Sequence, residues 1–459
     1  MRAVEHFSYY ESIIESLARR GHELRVLFDK RWSERQPRDE IDQLVSHYSG
    51  LEIGLAVKRK ESRLRRMLLH TRELLTYRQY LLLHRQGESI YYDRWIGYLP
   101  RRVQQLARFA LFRAIVKSRF CGVLLRMYEK VILADNRIMR DIREWKPDAV
   151  VAGPINLRFS SLDLEYLKAA KALCIPTVLP VLSWDNLTTK GLIHIKPDLL
   201  LVWNTLQAEE AKTIHAIDAD AIHIVGSPFF DRWFSLRKTA GTREDFCKRH
   251  GLRSSDPILL YLGSSSTVAP NEAWLIKELR AALDKHQDRR LRRIQLVLRP
   301  HPVNARHFEG LDADNLKVIP KGGHMPSRKG GLELFQETLA HSIAAVGINT
   351  SGMIDALIAG KPVIALMVDE YRSTQLIAQH FRYVLESGVV EQAEGVLACV
   401  ATIGQLLEGQ DAHRKEREKF VKEFVRPRGL LISAGETAAE EIVTLCHSRS
   451  RLPTAGRPP

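Results

Sequence analysis

The sequence predicts an α/β protein with two doubly wound parallel-sheet domains facing a cleft. Short apolar strands alternate with helices over residues 148–231, and the same alternation starts again at Pro257. A chain of 459 residues is long enough for two cores, and 45% hydrophobic with 27% charged residues is typical of a soluble globular protein. We place the domains at residues 1–228 and 229–446, followed by a disordered tail at residues 447–459.

The first domain opens with a predicted helix over residues 9–20, a Gly21 C-cap and a strand over residues 23–28. A parallel sheet normally supplies a strand before such a helix. The sequence has none there, which leaves open a shortened start or a missing edge strand. Strands then follow at 148–154, 176–180, 198–204 and 221–226, with helices at 162–173 and 205–215. The second domain has strands at 257–262, 294–299, 315–320, 343–348 and 362–367, with helices at 271–283, 332–340 and 353–359.

Positive charge is concentrated in a predicted helical insertion at residues 58–146. The whole chain carries a net charge of +15, and this segment holds 22 Lys/Arg against 8 Asp/Glu. Arg alternates there with apolar residues, as in "RFALFRAIVKSRF", which favours attraction to an anionic membrane surface. A solvated charged face and nucleic-acid binding are the alternatives. No nucleic-acid module is recognisable, so we expect no nucleic-acid partner.

The spacing of four arginines sharpens that expectation. On a helical wheel they fall on one side, so a single unbroken helix would carry a basic stripe of Arg101, Arg108, Arg119 and Arg126.

Five scattered cysteines without a C-x-x-C pair predict a reducing compartment and no metal cluster. No apolar run has the length of a transmembrane helix. We therefore expect a cytoplasmic protein, peripheral at the inner face of the plasma membrane.

Three polar clusters of the second domain follow predicted strands. They are "GSSS" at residues 263–266, "RPHP" at residues 299–302 and "NTSG" at residues 349–352. Ligands of doubly wound sheets bind at the carboxyl ends of the strands. If these strands are neighbours, the clusters line one crevice, with Ser264 and Ser265 among the substrate-binding candidates.

The "NTSG" cluster leads into a helix, whose first N–H groups attract anions. Asn349, Thr350, Ser351 and Gly352 are therefore candidates for binding an anion, and Asp355, one turn further, for accepting hydrogen bonds from sugar hydroxyls. The alternative is ordinary helix capping by Thr350 or Ser351.

In "RPHP", two prolines restrict the backbone around Arg299 and His301. Arg299 would bind phosphate, and His301 would bind phosphate or give a proton to a leaving group. The alternative is a strand-end turn with solvated side chains.

The first domain offers three further candidates. Asp185, in the loop "SWDNLTTKG", is a candidate general base, and Lys190 a candidate phosphate contact. A loop-stabilising Asx-turn is the alternative. His6 precedes the first helix, where a catalytic cleft residue would lie, although a histidine near a terminus is often incidental.

The stretches "SYYESIIESLARRGHEL", "VGSPFFD", "RPHP" and "NTSGMIDALIAGKPVIAL" resemble the GT-B superfamily, which contains glycosyltransferases and UDP-N-acetylglucosamine 2-epimerases on two Rossmann-like domains. The resemblance implies that residues 350–352 bind a diphosphate and Asp355 a ribose. "RPHP" also resembles the His-Pro element of CDP-glycerol glycerophosphotransferases and of the epimerases. Members generally need no bound metal. The epimerases' paired acids correspond here to Asp355 followed by Ala356, which argues against epimerase activity.

The resemblance and the charge together predict a glycosyltransferase that uses a nucleotide-sugar as substrate and no cofactor. Its acceptor would be a cell-surface polysaccharide or a lipid-linked glycan. Two other functions stay open. One is an epimerase or glycerophosphotransferase on the same fold, and the other is a non-catalytic basic adaptor for membrane or nucleic acid.

Overall fold

The structure is a computed structural model that describes residues 1, 4–29, 39–83, 95–153, 162–235, 241–323 and 329–450. Contacts divide the chain into two compact units. Unit 1 comprises Met1–Asp231 and Phe424–Pro459, and unit 2 comprises Arg232–Glu423. Unit 2 therefore ends at Glu423 rather than at residue 446, because the chain returns to unit 1.

The return segment is held by one buried carboxylate. Asp231 accepts hydrogen bonds from the hydroxyl of Ser433 (2.7 Å) and from the backbone N–H groups of Ala434 (3.0 Å) and Gly435 (2.8 Å). Arg426 pairs with the same side chain at 2.5 Å. Asp231 thus caps a C-terminal helix that runs from Ala434 to Ser450, so residues 447–450 are the end of this helix and not part of a tail.

Unit 1 contains two parallel sheets. A pair is formed by β1 (Leu24–Phe28) and β2 (Leu51–Leu55), and a four-stranded sheet has the order β3 (Val150–Val151), β4 (Thr177–Pro180), β5 (Leu199–Val202), β6 (Ile222–Ile224). A 3₁₀ turn at Val4–Tyr9 precedes the first helix. The helices of this unit are α1 (Glu11–Arg19), α2 (Asp39–His47), α3 (Arg63–Leu83), α4 (Arg101–Leu106), α5 (Ala110–Lys117), α6 (Arg119–Val131), α7 (Asn136–Trp145), α8 (Leu162–Ala172), α9 (Asn186–Thr189), α10 (Thr205–His215) and α21 (Ala434–Ser450).

The basic insertion is helical, but it does not form the predicted continuous stripe. The chain leaves the helix between α4 and α5 and again at Ser118, whose φ and ψ of −57° and 148° are not helical. Ser118 then caps α6 by accepting a hydrogen bond from the N–H of Cys121 (3.2 Å). The four arginines therefore do not share one helix: Arg101 is on α4, Arg108 lies in the turn after α4, and Arg119 and Arg126 are on α6. Among the described residues, no helix is long and apolar enough to cross a membrane.

A buried ion network connects α3 and α6 of the insertion to α8. Arg72 on α3 donates to both carboxylate oxygens of Glu129 on α6 (2.7 and 2.8 Å) and to Glu165 on α8 (3.0 Å). Lys168 donates to Glu129 as well (2.8 Å). Burial alone would raise the pKa of Glu129, but Arg72 and Lys168 hold it below its usual value. The network therefore joins three helices through paired charges.

Unit 2 is built on one parallel sheet with the strand order β12-β11-β10-β7-β8-β9. Its central strands are buried on both faces, which explains their continuous apolar sequence. The strands are β7 (Ile258–Leu262), β8 (Gln295–Arg299), β9 (Leu316–Val318), β10 (Ser342–Gly347), β11 (Val363–Met367) and β12 (Glu391–Glu394). The helices are α11 (Asp231–Ser235), α12 (Arg243–His250), α13 (Ala273–Asp284), α14 (Arg289–Arg292), α15 (Lys329–His341), α16 (Gly352–Ile358), α17 (Arg372–Leu376), α18 (Gln379–Glu386), α19 (Gly395–Leu407) and α20 (Arg414–Phe420).

The ion network gives a stability prediction. Arg72→Met removes the cation between two buried carboxylates, so we expect a loss of about 3–5 kcal/mol in the free energy of unfolding. Arg66→Met, on an exposed face of the same helix, is the matched control and should change it by less than ~0.5 kcal/mol. Urea unfolding of both variants measures the difference. Equal losses would contradict the role of the network.

Candidate functional site

The three polar clusters of unit 2 meet at one edge of its sheet. β7 lies between β10 and β8, and the three strands are parallel. In the register Leu262 is the partner of both Gly347 and Arg299, so the strands end side by side. The three strands are therefore neighbours, as the predicted crevice requires, and the loops that follow them begin side by side.

Two glycines allow the loops to approach each other at this edge. Gly263 donates its N–H to the carbonyl oxygen of Arg299 (2.9 Å), and a Cβ on Gly263 would lie 3.1 Å from the backbone nitrogen of His301. A Cβ on Gly347 would lie 3.0 Å from the carbonyl oxygen of Leu262. Larger residues would push the strand ends apart, so these glycines keep the three clusters together.

Arg299 lies in a buried aromatic setting and is only 6% exposed. Its guanidinium carbon is 4.2 Å from the ring centre of Phe335, a cation–π contact. Phe335 meets Trp233 edge to face at 5.6 Å, and the indole of Trp233 donates a hydrogen bond to Asp355. The two charged residues predicted from different motifs therefore belong to one cluster.

Burial shifts the pKa values of both charged residues in this cluster. It raises the pKa of Asp355 to about 7, although Trp233 and Arg299 both act to lower it. It also lowers the pKa of Arg299 to about 10, against the opposing effect of Asp355. Asp355 is 2% exposed, and its Oδ1 has no hydrogen-bond partner among the described residues. Its predicted role in binding sugar hydroxyls stays a prediction, since the carboxylate is more enclosed than the sequence suggested.

His301 is held by its own turn. Its Nδ1 accepts a hydrogen bond from the N–H of Val303 (3.3 Å), which favours the tautomer with the proton on Nε2. Burial lowers the pKa of this imidazole, so the neutral form is favoured. A neutral His301 can donate a hydrogen bond to a phosphate oxygen. The predicted phosphate contact and the predicted proton transfer of His301 both stay predictions.

The loop after β7 is fixed by residues that the sequence did not single out. The Glu272 carboxylate accepts hydrogen bonds from the N–H of Ser264 (2.6 Å) and the hydroxyl of Tyr261 (2.8 Å), and burial raises its pKa to about 7. Asn304 donates to the carbonyl oxygen of Ser264 (2.9 Å). The hydroxyl of Ser265 pairs with Thr267. Ser264 is therefore a buried, immobilised part of the loop, whereas Ser265 is partly exposed.

The "NTSG" turn divides into structural and surface residues. Asn349 is buried and donates to the carbonyl oxygen of Thr374 (2.6 Å), which anchors the turn. Among the described residues, the Thr350 hydroxyl accepts a long hydrogen bond from the N–H of Gly352 (3.4 Å). Ser351 is exposed and makes no side-chain capping bond to α16. The hydroxyl of Ser351 therefore does not cap α16, as the alternative interpretation of this residue would require.

In unit 1 the loop after β4 satisfies its own polar groups. Asp185 accepts from the hydroxyls of Ser183 (2.5 Å) and Thr189 (2.9 Å) and forms an ion pair with Lys190 (3.1 Å). These contacts are those of the loop-stabilising alternative, and the catalytic roles of Asp185 and Lys190 stay predictions. His6 lies in the 3₁₀ turn Val4–Tyr9, where its ring is 6.3 Å from that of Tyr9.

Two distant residues support this loop and were not predicted. His215 is buried, and burial lowers its pKa to about 4. Its neutral ring accepts from the N–H of Ile193 (3.1 Å) at Nδ1 and bonds the carbonyl oxygen of Leu187 (2.8 Å) through Nε2. Tyr80 of α3 donates to the carbonyl oxygen of Thr188 (2.8 Å). The basic insertion therefore helps to position the loop that carries Asp185.

Solved structures resemble this chain over nearly its full length. A Listeria monocytogenes protein described as a UDP-N-acetylglucosamine 2-epimerase gives a TM-score of 0.55 at 11% identity, covering 100% of this chain and 96% of its own. A Rickettsia africae glycosyltransferase gives 0.53 at 10% identity, covering 98% and 97%. The Neisseria meningitidis UDP-GlcNAc 2-epimerase, solved with UDP-GlcNAc bound, gives 0.51 at 12% identity, covering 95% and 97%.

No protein-family model and no curated protein matches the sequence. At these identities the structural likeness shows the fold. The chain has the GT-B fold with two Rossmann-like units, as the sequence motifs predicted. Its structural neighbours are enzymes of that fold, both epimerases and transferases.

The buried Asp355 gives a pH prediction. Its pKa of about 7 lies above the value of about 3.9 for a free aspartate, so its protonation stabilises the folded state. That contribution is fully present below about pH 4 and is lost as the pH rises through about 7. We therefore expect Asp355→Asn to gain roughly 2–3 kcal/mol over the wild type between about pH 5 and pH 8.

Urea unfolding at both pH values measures this gain. Asp314→Asn changes an exposed aspartate and should follow the wild type at each pH. Parallel behaviour of Asp355→Asn and the wild type would show that Asp355 is ionised throughout this range.

Proposed function

We propose that the protein transfers a sugar from a nucleotide-sugar to a polysaccharide or lipid-linked acceptor at a membrane surface. The observation that carries the proposal is the buried Arg299 beside Asp355, at the sheet edge where a doubly wound unit binds ligands. A buried arginine with a lowered pKa gains from an anionic ligand, because the ligand restores the interactions that burial removed. The nucleotide-sugar diphosphate has the required charge.

The donor would lie across the three clusters of unit 2. Arg299 and the Nε2–H of His301 would bind diphosphate oxygens, and the exposed hydroxyl of Ser351 would donate a further hydrogen bond. Asp355 Oδ1 would accept from a ribose hydroxyl. Negative charge grows on the leaving diphosphate during transfer, so donors fixed before the reaction stabilise the transition state more than the ground state.

Unit 1 would bring the acceptor. If the reaction inverts the anomeric centre, a base must take the proton of the acceptor hydroxyl, and Asp185 is our candidate. Its carboxylate is now paired with Lys190 and two hydroxyls. Catalysis by Asp185 would therefore require Lys190 to move to another anion, such as an acceptor phosphate. His6 is the second candidate of this unit.

The helices α4 to α6 support attachment to an anionic membrane. Their exposed surface carries large apolar side chains, including Leu111 and Phe120, which are each 73% exposed. Exposed basic residues lie among them: Arg101, Arg102, Arg108, Lys117, Arg119, Arg126 and Lys130. Apolar groups that enter the interface, together with cations that meet lipid phosphates, are the chemistry of peripheral membrane binding.

Ligand-induced stabilisation tests the donor site. A nucleotide or nucleotide-sugar at ~100 times its dissociation constant should stabilise the native state by about 2.7 kcal/mol. Ser351→Ala should lower that gain without changing the stability of the free protein, since Ser351 makes no capping bond. Ser254→Ala, near the opposite end of β7, is the matched control.

The same panel distinguishes the enzymes of this fold. A sugar product formed only with an acceptor supports transfer, and conversion of the free nucleotide-sugar indicates an epimerase. Use of CDP-glycerol indicates a glycerophosphotransferase. If no nucleotide shifts the unfolding midpoint, the proposal of a donor site is wrong and the basic adaptor becomes the better explanation.

Vesicle sedimentation tests the membrane surface. We expect binding to vesicles with about 30% phosphatidylserine and little binding to neutral ones. Phe120→Ser with Leu124→Ser should weaken binding at least ~10-fold, because each removes a side chain that would enter the interface. Leu397→Ser changes a residue of unit 2 that is 80% exposed and should have no effect. Equal binding of all three proteins would exclude α6 as the contact.

A further inference from the structure

A short segment after β11 is hydrogen-bonded to two of the loops at the candidate site. We call this segment, residues 371–375, the brace; it includes the start of α17. Its sequence "YRSTQ" contains none of the motifs that predicted the site. The side chains of Tyr371, Thr374 and Gln375 nevertheless all reach main-chain carbonyl oxygens of other segments. The brace is therefore a connection between parts of the site that are distant in sequence.

Gln375 links β10 and β11 at the point where their pairing ends. The last paired residues are Gly347 and Ala365, so Ile348 and Leu366 would be the next pair in register. The Nε2 group of Gln375 donates to the carbonyl oxygens of both, at 3.1 and 2.9 Å. A side-chain amide thus continues the connection between the two strands for one more pair. The polar turn after β10 begins at the next residue.

The contacts of Gln375 use its two N–H groups. The side chain is fully buried (0% exposed), and its Oε1 has no hydrogen-bond partner among the described residues. Burying an amide oxygen without a partner costs free energy, so the favourable contribution of this side chain comes from the two donors. Among neutral side chains, only those of Gln and Asn carry two N–H groups on one nitrogen atom. An apolar side chain at this position would leave both carbonyl oxygens without the donor.

The rest of the brace extends the connection to the loop after β7. The hydroxyl of Thr374 lies 3.0 Å from the carbonyl oxygen of Val268 and 2.9 Å from that of Tyr371, and its proton can serve either. Tyr371 donates to the carbonyl oxygen of Asn271. The carbonyl oxygen of Thr374 accepts from the side-chain amide of Asn349 (2.6 Å). The loops after β7 and β10 are therefore both attached to the brace.

A fixed distance between these two loops would favour a ligand that contacts both. Ordering a mobile loop costs free energy, and a loop that is ordered before binding avoids this cost. Loss of the brace would therefore lower affinity even if every ligand-contacting residue were still present.

We propose that Gln375 is a positioning residue of the donor site. Through Ile348 it holds the turn that carries Thr350 and Ser351 against β11, while the brace holds that turn near the loop after β7. The inference rests on the proposed function, in which a nucleotide-sugar binds across these loops. Gln375 is itself buried, so it acts on the ligand through the backbone that it holds.

Gln375→Met tests this role, because methionine has a similar size and lacks both N–H donors. Gln295→Met is the matched control. Gln295 is also 0% exposed and donates to the carbonyl oxygen of Arg253 (2.7 Å), but it lies at the start of β8, at the opposite end of the sheet from the site. Both variants should lower the unfolding midpoint by a similar amount, roughly 4 °C.

Calorimetric titration with UDP, CDP, GDP, ADP and dTDP then separates the two variants. Gln375→Met should raise the dissociation constant of the nucleotide that binds the wild type at least ~10-fold, and Gln295→Met should leave it unchanged. Unchanged affinity in Gln375→Met, or an equal loss in both variants, would overturn the inference and leave the donor site standing. If none of these nucleotides binds the wild type, the proposed function is wrong, and so is the role of Gln375 in donor binding.

Hydrogen exchange of the ligand-free proteins tests the positioning directly. The amides of Met353 and Ile354 donate to the carbonyl oxygens of Thr350 (3.1 Å) and Ser351 (2.9 Å), so their exchange reports on the turn. Gln375→Met should speed their exchange at least ~10-fold, and Gln295→Met should not. Unchanged exchange in Gln375→Met would overturn the inference, whatever the nucleotide titrations show.

Discussion

The candidate site depends on the pairing of β7 between β8 and β10. Parallel strands end at a common edge, and the register sets Leu262 beside both Arg299 and Gly347. Three loops that are far apart in sequence therefore begin within two strand spacings of one another. The glycines at positions 263 and 347 keep them in contact, since a Cβ at either would meet neighbouring backbone. The proposed binding of the nucleotide-sugar donor therefore depends on the register of these three strands.

Local patterns were sufficient for much of the fold. Buried strands such as β7 and β8 are continuous apolar runs, and the polar clusters stand directly after them, so both the strands and the site edge were predictable. The edge strand β12, with the sequence "EQAE", was not predicted because an edge strand has little apolar surface to bury. The basic stripe was also mispredicted, because a wheel cannot show that Ser118 interrupts the helix.

The supporting residues of the site were harder to predict for a physical reason. Glu272, Trp233 and His215 act through contacts with residues distant in sequence or with backbone groups, and none stands in a distinctive motif. Their roles arise from burial, which gives an ordinary glutamate or histidine a shifted pKa and a fixed partner. A sequence shows which residues are titratable, but it does not show which of them lose contact with water.

The two units use buried charge differently. In unit 1 Arg72 and Lys168 face Glu129 directly, and the charges compensate one another in a static network. In unit 2 burial lowers the pKa of Arg299 and raises the pKa of Asp355, which disfavours the charged form of each side chain. One oxygen of Asp355 also has no hydrogen-bond partner among the described residues. In the first arrangement the charges satisfy one another, so removing one partner would leave an uncompensated buried charge. Shifted pKa values like those of the second arrangement are common at functional sites, which is why we propose a ligand there.

The Asp231 cap has a consequence for the order of folding. In the sequence, unit 2 comes between the two segments that make up unit 1, and the helix capped by Asp231 follows unit 2. A ribosome therefore synthesises all of unit 2 before it makes the last helix of unit 1. During synthesis unit 2 can complete its sheet while the face of unit 1 that α21 covers is still open to water. Until α21 is made, the apolar residues of α1 that it covers stay exposed, and exposed apolar surface of this kind favours aggregation.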